Sequence, residues 1–386
     1  MEFHAIMHRQ PMYRILSIFL FVLLITGSCK SEAEETADRN EIVDSTLAVF
    51  QQNLYQNQLD SLFTKHDFNG SIAVIQNGIP IYNRSRGFSD FSGKTELDST
   101  TVFAIGSVSK QFTAVMILQQ METGKLKLDD AASKYLPELQ HKQFDKITVR
   151  HLLHHTSGLG DFGPNLQSQP GEKFSYSNKG FRFLGQIIEK ASGKSYDTNV
   201  MELFQKAGMK NSYAPSTFKN THFGSAYLGT SKHQQEVENM PMRLAKDEIS
   251  VPAGGLLSTV KDLAIWNEAL YSGKIISAQS LKIFKEKNSA REHYVLGTVG
   301  YGTGIMMNTN APEAYFHSGY VKGSPSLNVY YPATKTSVII LSNIADESKG
   351  KEAFFQPHAE TKTIADAVEN SVASVRSIMT KPAVPQ

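Results

Sequence analysis

A serine and a lysine three residues apart, Ser107 and Lys110, form the pair in this chain whose types and spacing best suit nucleophilic chemistry. Residues i and i+3 share one helix face, with Cβ atoms about 5–6 Å apart, so the Lys110 amine can reach the Ser107 hydroxyl. A serine hydroxyl needs a neighbouring base to become a good nucleophile. The pair therefore predicts an activated serine, although a helix-capping serine beside a solvated lysine has the same spacing.

The setting of Ser107 distinguishes it from other serines with the same spacing. The apolar segment VFAI precedes Gly106, and a strongly apolar stretch follows as far as Leu118. We expect a sharp turn at Gly106 and a helix that starts near Ser107, where free N–H groups and the helix dipole favour negative charge. The spacing recurs, without this setting, at Ser216/Lys219, Ser258/Lys261 and Ser348/Lys351.

Tyr176 and Asn178, in KFSYSNKGF, form a second candidate group just before an amphipathic segment. A tyrosine can transfer a proton when nearby cations lower its pKa. An asparagine amide can support a lysine and hold a substrate carbonyl. The pattern Y-x-N also occurs at Tyr55/Asn57, so a buried tyrosine with a capping asparagine is the alternative.

The third candidate group is His317, Ser318 and Gly319, in EAYFHSGYVKG. If this segment is a strand, its edge can pair with an extended substrate, and the Tyr320 N–H can join the Ser107 N–H as an oxyanion hole. One such donor contributes about 2.7–4 kcal/mol in comparable sites. Gly319 is expected to leave room for the acyl group. The alternative for His317 is a buried histidine bonded to the backbone.

Three histidines in HLLHHTSGL offer a competing interpretation. The spacing of His151, His154 and His155 suits metal ligands on a helix, which would make the protein a metal hydrolase. No suitably patterned acidic residue accompanies them in the sequence. We therefore expect a mechanism without metal or other cofactor.

The N-terminus has the pattern of an export signal. Arg9 and Arg14 precede an apolar run, 15–25, that is too short for a comfortable membrane span. LITGSC follows the pattern of a lipobox, although Thr26 occupies a position usually held by leucine, and Cys29 is the only cysteine. We expect residues 1–28 to be a signal peptide and Cys29 to be lipidated, so that the protein is membrane-anchored in the bacterial periplasm or at the cell surface. An ordinary secretory signal and an uncleaved anchor are the alternatives.

Composition allows a large globular domain after that signal. Hydrophobic residues make up 40% of the chain and the formal net charge is only +2, which does not favour nucleic acid as a partner. Residues 29–45 are acidic and polar and are expected to form a flexible tether. The folded domain is expected over 46–346, followed by a C-terminal extension with a helix over 347–386.

Strand patterns at both ends of this domain enclose a helix-rich middle. GSIAVIQ and IPIYNRSRGF are joined by Asn77-Gly78, a strong hairpin signal, and AYFHSGY, SLNVYYP and TSVIILSN lie near the end. This order predicts an α+β fold, with an antiparallel sheet built from both termini, flanking helices and an inserted helical lobe. A cleft between the lobes is expected.

The order S-x-x-K, Y-x-N and H-x-G resembles that of class C serine β-lactamases, D-Ala-D-Ala carboxypeptidases and related esterases, the penicillin-binding-protein-like serine hydrolases. HLLHHTSGL, PGEKFSYSN, PAGGLLSTVKDLAIW and YGTGIMM extend the resemblance over about residues 55–345. The resemblance implies a β-lactamase/transpeptidase-like fold and acyl transfer through an acyl-Ser107 intermediate. It further implies that Lys110 and Tyr176 act as general base and acid, that Asn178 positions substrate and that 317–319 form the third box.

His317 stands where the class C pattern has a lysine. A lysine is a permanent positive partner for a substrate carboxylate, whereas a histidine with an ordinary pKa of about 6.5 is mostly neutral at pH 7. We expect a D-Ala-D-Ala carboxypeptidase-like or β-lactamase-related activity on a small peptide, β-lactam or ester. An esterase, a D-amino-acid peptidase and a non-catalytic protein that binds cell-wall peptides are the alternatives.

Overall fold

The computed structural model describes residues 31–219, 222–238, 240–245 and 250–380. The expected signal peptide and Cys29 lie outside the described residues. Within the described part of the chain, no helix combines the length and apolar character needed to cross a membrane.

Helices occur from the first described residues to the last. In chain order they are α1 (Glu32–Lys65), α2 (Lys110–Glu122), α3 (Val149–Leu153), α4 (Asn178–Ser192), α5 (Tyr196–Ala207), α6 (Met242–Ala245), α7 (Val260–Tyr271), α8 (Ala278–Lys285) and α9 (Gly350–Met379). A 3₁₀ turn, Gly106–Ser109, precedes α2, and a π-helical turn, Val251–Gly255, precedes α7.

Strands concentrate at the two ends of the chain. They are β1 (Gly70–Gln76), β2 (Ile79–Arg86), β3 (Phe88–Asp90), β4 (Thr95–Glu96), β5 (Phe103–Ala104), β6 (Tyr227–Gly229), β7 (Gln234–Glu236), β8 (Leu257–Ser258), β9 (Ser289–His293), β10 (Gly297–Tyr301), β11 (Met306–Met307), β12 (Tyr315–Val321), β13 (Ser324–Tyr331), β14 (Thr336–Ser342) and β15 (Ile344–Ala345).

An eight-stranded antiparallel sheet contains strands from both ends of the chain, in the order β2-β1-β14-β13-β12-β11-β10-β9. The N-terminal strand β1 pairs with the C-terminal strand β14, from Gly70 opposite Ser342 to Gln76 opposite Thr336. Asn77 and Gly78 have φ values of 50° and 76°, the left-handed conformation that a two-residue hairpin turn requires. The predicted fold class is confirmed.

The helical part packs around α2, which is buried from Lys110 to Leu118. Phe112 of α2 lies with its ring centroid 4.3 Å from that of Trp266 on α7 and 5.2 Å from that of Phe204 on α5. These rings belong to one buried cluster with apolar residues of α4, such as Leu184. The core therefore holds the helix that follows Ser107 from several directions.

The described residues form two compact units, one of 31–50 with 372–380 and one of Gln51–Ser371. The smaller unit differs from the flexible tether expected over 29–45, because α1 begins at Glu32. Thr36, Val43 and Leu47 are buried at helical spacing, and the acidic first turn suits the positive end of the helix dipole. The polar composition of the segment concealed these buried positions.

The first part of α9 packs within the larger unit. The Phe354 ring lies 4.6 Å from that of Tyr320, and the Glu369 carboxylate accepts a 2.7 Å hydrogen bond from the Tyr55 hydroxyl of α1. His358 is fully buried, with Nε2 3.1 Å from the Pro325 carbonyl oxygen. The expected helix of the C-terminal extension is present, but its first half is packed against the sheet, unlike an appendage that starts after residue 346.

Candidate active site

A tight turn at Gly106 places Ser107 directly before α2. Gly106 has a φ of +51°, and a Cβ atom there would lie 2.3 Å from the Tyr320 nitrogen. The Ser109 hydroxyl donates to the Gly106 carbonyl over 2.7 Å and accepts the Leu256 N–H over 3.1 Å. The turn is thus held by backbone contacts, and the Ser107 side chain remains partly exposed.

Lys110 is fully buried, and its amine contacts three oxygen atoms. The Nζ atom lies 3.0 Å from Ser107 Oγ, 2.8 Å from Asn178 Oδ1 and 2.6 Å from the Ala253 carbonyl oxygen. A carbonyl and an amide oxygen can only accept, so a neutral amine gives them both of its hydrogens. Its lone pair is then directed to the Ser107 hydroxyl.

Burial lowers the pKa of Lys110 to about 7; the charge of Asp161 opposes this shift, and the charge of Arg291 adds to it. Near neutral pH a substantial fraction of the amine is therefore uncharged. An uncharged amine can accept a proton from the Ser107 hydroxyl, which is the role of a general base.

Asp161 fixes the orientation of Asn178 at the N-terminus of α4. Asp161 Oδ1 accepts the backbone N–H of Asn178 over 2.6 Å, and its Oδ2 accepts from Asn178 Nδ2 over 2.9 Å. The amide oxygen of Asn178 is consequently the atom that faces Lys110. Asp161 was not predicted, since it lies in a segment, DFGPN, without a recognisable motif.

Tyr176 lies beside Lys110 and Arg291. The Lys110 Nζ atom is 4.8 Å, and the Arg291 Cζ atom 5.1 Å, from the centroid of the Tyr176 ring. Burial nevertheless raises the pKa of Tyr176, while a hydrogen bond with Ser107 and the charge of Arg291 act in the opposite direction. The sequence-based expectation of a lowered pKa is corrected: the phenol keeps its proton, which suits a proton donor better than a base.

Strand β12 runs alongside the Ser107 turn. A Cβ atom on Gly319 would lie 2.2 Å from the Ile105 carbonyl oxygen and 2.9 Å from the Ser107 nitrogen. The glycine therefore permits backbone packing between strand and turn, a reason other than the space for an acyl group that we expected. Among the described strands, β11 pairs with β12 only at Tyr315 and Phe316, which leaves this edge unpaired from His317 onwards.

The side chain of Ser318 contacts a histidine that the sequence did not indicate. His293 Nε2 lies 2.9 Å from Ser318 Oγ, and the Val295 N–H donates to His293 Nδ1 over 3.3 Å, so Nε2 carries the hydrogen of a neutral ring. Burial, followed by the charge of Arg291, lowers the pKa of His293 to about 4. His293 and Arg291 lie on β9, in a segment without a catalytic pattern.

His317 and Tyr320 direct their side chains to different partners. His317 Nδ1 lies 2.6 Å from the Ser318 carbonyl oxygen, and burial with the charge of Lys110 holds the pKa of this histidine well below its ordinary value. His317 is thus a buried neutral histidine. The Tyr320 hydroxyl donates to Glu347 over 2.6 Å, so only the backbone of Tyr320 adjoins the Ser107 turn.

The histidines of the competing metal interpretation have separate partners. His151 Nδ1 accepts the Thr148 N–H over 3.3 Å, His154 Nε2 lies 3.3 Å from Thr303 Oγ1, and His155 Nε2 lies 3.0 Å from the Tyr301 hydroxyl. No three His, Cys, Asp or Glu side chains of the described ranges are grouped so that they could hold a metal ion.

Solved structures of other proteins share this fold. A penicillin-binding protein homologue from Pyrococcus abyssi superposes with a TM-score of 0.69 and 24% identity, over 80% of this chain and 76% of that one. A D-amino acid amidase from Ochrobactrum anthropi SV3 gives a TM-score of 0.70 and 20% identity, over 83% and 99%. At these identities the similarity concerns the fold.

Relatives and a family profile that resemble the chain in sequence identify its family. Penicillin-binding protein 4* of Bacillus subtilis is 29% identical over 346 residues, which cover 78% of this chain and 74% of the relative. Protein flp of Staphylococcus aureus strain MW2 is 26% identical over 366 residues, or 83% and 69%. The sequence profile of the beta-lactamase family matches residues 57–358. Because this match includes most of the chain, the protein belongs to the beta-lactamase family.

Proposed function

We propose that this protein hydrolyses D-Ala-D-Ala peptides through an acyl-Ser107 intermediate, as a carboxypeptidase-like member of its family. The observation that carries the proposal is the buried Lys110 amine, 3.0 Å from Ser107 Oγ and committed on its other sides to Asn178 and Ala253. This arrangement orients the lone pair of a neutral amine to the serine. A non-catalytic peptide-binding protein has no need of it.

The proposed acylation step uses four groups. Lys110 accepts the Ser107 proton as Oγ attacks the scissile carbonyl carbon, and the N–H groups of Ser107 and Tyr320 stabilise the oxyanion. The Tyr176 phenol then donates its proton to the leaving amine and regains one from the Lys110 ammonium. In deacylation Lys110 accepts a proton from a water that attacks the ester carbon, and it returns that proton to Ser107 Oγ as the bond between the acyl carbon and Oγ breaks.

Arg291 is proposed to supply the positive charge that neutral His317 lacks. Its guanidinium lies against the rings of Phe174 and Tyr176, at 5.8 and 5.1 Å from their centroids. No carboxylate of the described residues forms a salt bridge with it. A cation beside Tyr176, without a carboxylate partner among the described residues, suits the terminal carboxylate of a D-Ala-D-Ala peptide.

Replacing Arg291 with glutamine is expected to lower kcat/KM for a D-Ala-D-Ala peptide by about 10- to 100-fold, the cost of one charge-assisted hydrogen bond. For the same peptide with an amidated C-terminus, the substitution should lower kcat/KM much less. Since the Arg291 charge lowers the pKa of Lys110, the variant should also need a higher pH for half-maximal acylation.

The control for this variant is Arg182→Gln, which removes one positive charge from the exposed surface of α4. Arg182→Gln should leave unchanged both kcat/KM for the D-Ala-D-Ala peptide and the pH for half-maximal acylation. Equal losses for the free and amidated peptides in Arg291→Gln would contradict a role in carboxylate binding.

An amidase or esterase is the second candidate function. The neutral, buried His317 favours it, because a substrate without a carboxylate needs no cation at that position. The fold shared with a D-amino acid amidase agrees with this candidate. Amides and esters of D-amino acids should then be cleaved faster than D-Ala-D-Ala peptides, and Arg291→Gln should have little effect on them.

Intact-mass spectrometry after incubation with benzylpenicillin tests the proposed chemistry. A covalent adduct that requires Ser107 supports the acyl-enzyme. Persistence of the adduct favours a carboxypeptidase-like enzyme, and rapid loss with hydrolysed penicillin favours a β-lactamase. The absence of adduct and product, together with no cleavage of D-Ala-D-Ala peptides, amides or esters, would contradict the proposal and favour the peptide-binding alternative.

We further propose that the protein is exported and anchored through a lipidated Cys29. The lipobox-like segment LITGSC supports this, and an acidic segment follows it. In cells fed an alkyne-labelled fatty acid, the full-length protein should become labelled and sediment with membranes. Cys29→Ser should lose the label; a labelled Cys29→Ser protein would contradict the proposal.

A further inference from the structure

A chain of hydrogen bonds between buried side chains links the Tyr176 loop to strand β12. It passes through His155, Tyr301 and His317, each of which is 0% exposed. The successive distances are 3.1 Å from Ser177 N to His155 Nδ1, 3.0 Å from His155 Nε2 to Tyr301 Oη, 3.2 Å from Tyr301 Oη to His317 Nε2 and 2.6 Å from His317 Nδ1 to Ser318 O.

The two ends of this chain determine the direction of every bond in it. The Ser177 backbone N–H can only donate, so His155 Nδ1 accepts and the hydrogen of the neutral ring is on Nε2. The Ser318 carbonyl can only accept, so His317 carries its hydrogen on Nδ1 and accepts at Nε2. Tyr301 has one hydroxyl hydrogen, and it therefore accepts from His155 and donates to His317. Each bond then contains one hydrogen.

We propose that Tyr301 is a positioning residue that bridges His155 and His317, which their backbone partners hold in opposite neutral tautomers, and thereby keeps the Tyr176 loop in place relative to β12. The loop carries the proposed proton donor and Asn178, and the strand carries the proposed oxyanion donor. The effect of Tyr301 on catalysis rests on the proposed acyl transfer, whereas the tautomers of His155 and His317 do not depend on it.

A proton added to His317 would break this chain of hydrogen bonds. A doubly protonated His317 would present a hydrogen at Nε2, and Tyr301 would have to turn its own hydrogen towards His155 Nε2, which already carries one. The titratable groups that face the two rings are Lys110, Arg291, His154, His293, Tyr176 and Tyr301. Burial and the positive members of this group keep both imidazoles neutral, so the chain is expected to stay intact near pH 7.

Nitrogen-15 NMR of the imidazole rings in the full-length protein tests the tautomers directly. Signals can be assigned with the single variants His155→Asn and His317→Asn. His155 should be protonated on Nε2 and His317 on Nδ1, and neither ring should titrate at the ordinary pKa of a histidine. The same tautomer in both rings, or ordinary titration of either, would overturn the proposal. This result does not depend on whether the protein is a hydrolase.

Tyr301→Phe tests the positioning role. It keeps the ring but leaves His317 Nε2 without a donor, and since that bond favours the neutral imidazole, the pKa of His317 should rise. We expect kcat to fall about tenfold, the equivalent of one hydrogen bond, with KM unchanged. The fall should be larger at acidic than at alkaline pH.

Tyr331→Phe is a matched control because it also removes one buried hydroxyl, which donates to Asp366 of α9 over 2.8 Å and takes no part in the hydrogen-bond chain. It should lower the melting temperature but leave kcat, its pH profile and both tautomers unchanged. A wild-type kcat and a wild-type pH profile in a folded Tyr301→Phe protein would contradict the positioning role. If that variant does not fold, the wild-type spectrum still decides the tautomers on which the role depends.

Discussion

Replacing Ser107 with alanine is expected to abolish turnover, with a loss of about 10⁴- to 10⁶-fold in kcat, as found when a serine nucleophile is removed. The fold should persist, because the Gly106 turn is held by the contacts of Gly106 and Ser109 and does not need the Ser107 hydroxyl. Steady-state hydrolysis of a D-Ala-D-Ala peptide measures the first effect, and a thermal melt measures the second.

Ser348→Ala provides a control with the same sequence spacing. Ser348 also has a lysine three residues later, but it lies exposed in a 3₁₀ turn before α9. Its removal should leave turnover unchanged. A Ser107→Ala protein with wild-type activity, under conditions in which contaminating enzymes are excluded, would mean that another residue is the nucleophile.

Replacing Lys110 with methionine should slow acylation by about 10²- to 10⁴-fold, the range for loss of a general base. In the wild type the rate should rise as the pH increases through about 7, because deprotonation of the ammonium produces the competent base. The variant lacks this group, so its residual rate should lose that dependence. Rapid-mixing measurements of acylation across this pH range test both expectations.

Lys362→Met is the control for this prediction, because it removes a buried lysine but leaves the proposed base in place. Lys362 on α9 is also buried, and its amine contacts Asp366 and Asn308, each over 2.6 Å. This variant should lose stability and yet acylate normally. If Lys110→Met acylates at the wild-type rate, or keeps the inflection near pH 7, Lys110 is not the base.

The sequence predicted which segments carry the candidate site, because each contains a residue pair or triplet of recognisable chemistry. Asp161 and Arg291 were not predicted, since each lies in a polar segment whose role depends on what the fold brings beside it. Asp161 faces Asn178, and Arg291 on β9 reaches Tyr176 across more than a hundred positions of sequence.

The charge states of the candidate site residues were predicted less well than their positions. A pKa depends on how completely water is excluded, and this cannot be deduced from a local pattern. Tyr176 lies next to Lys110 and Arg291, yet burial raises its pKa by more than the Arg291 charge lowers it. The polar segment before residue 45 illustrates a similar limit, because its composition did not show that Thr36 and Val43 would be buried in a helix.

The pairing of β1 with β14 has a consequence for biosynthesis. Gly70 lies opposite Ser342, so the centre of the sheet cannot close until synthesis has passed β14. Such distant pairing slows folding, because a long loop must be ordered before its contacts form. A nascent chain that ends before residue 315 would already contain Ser107 and Lys110 but not the strand that adjoins them. Synthesis of β12 therefore decides when the site can first assemble.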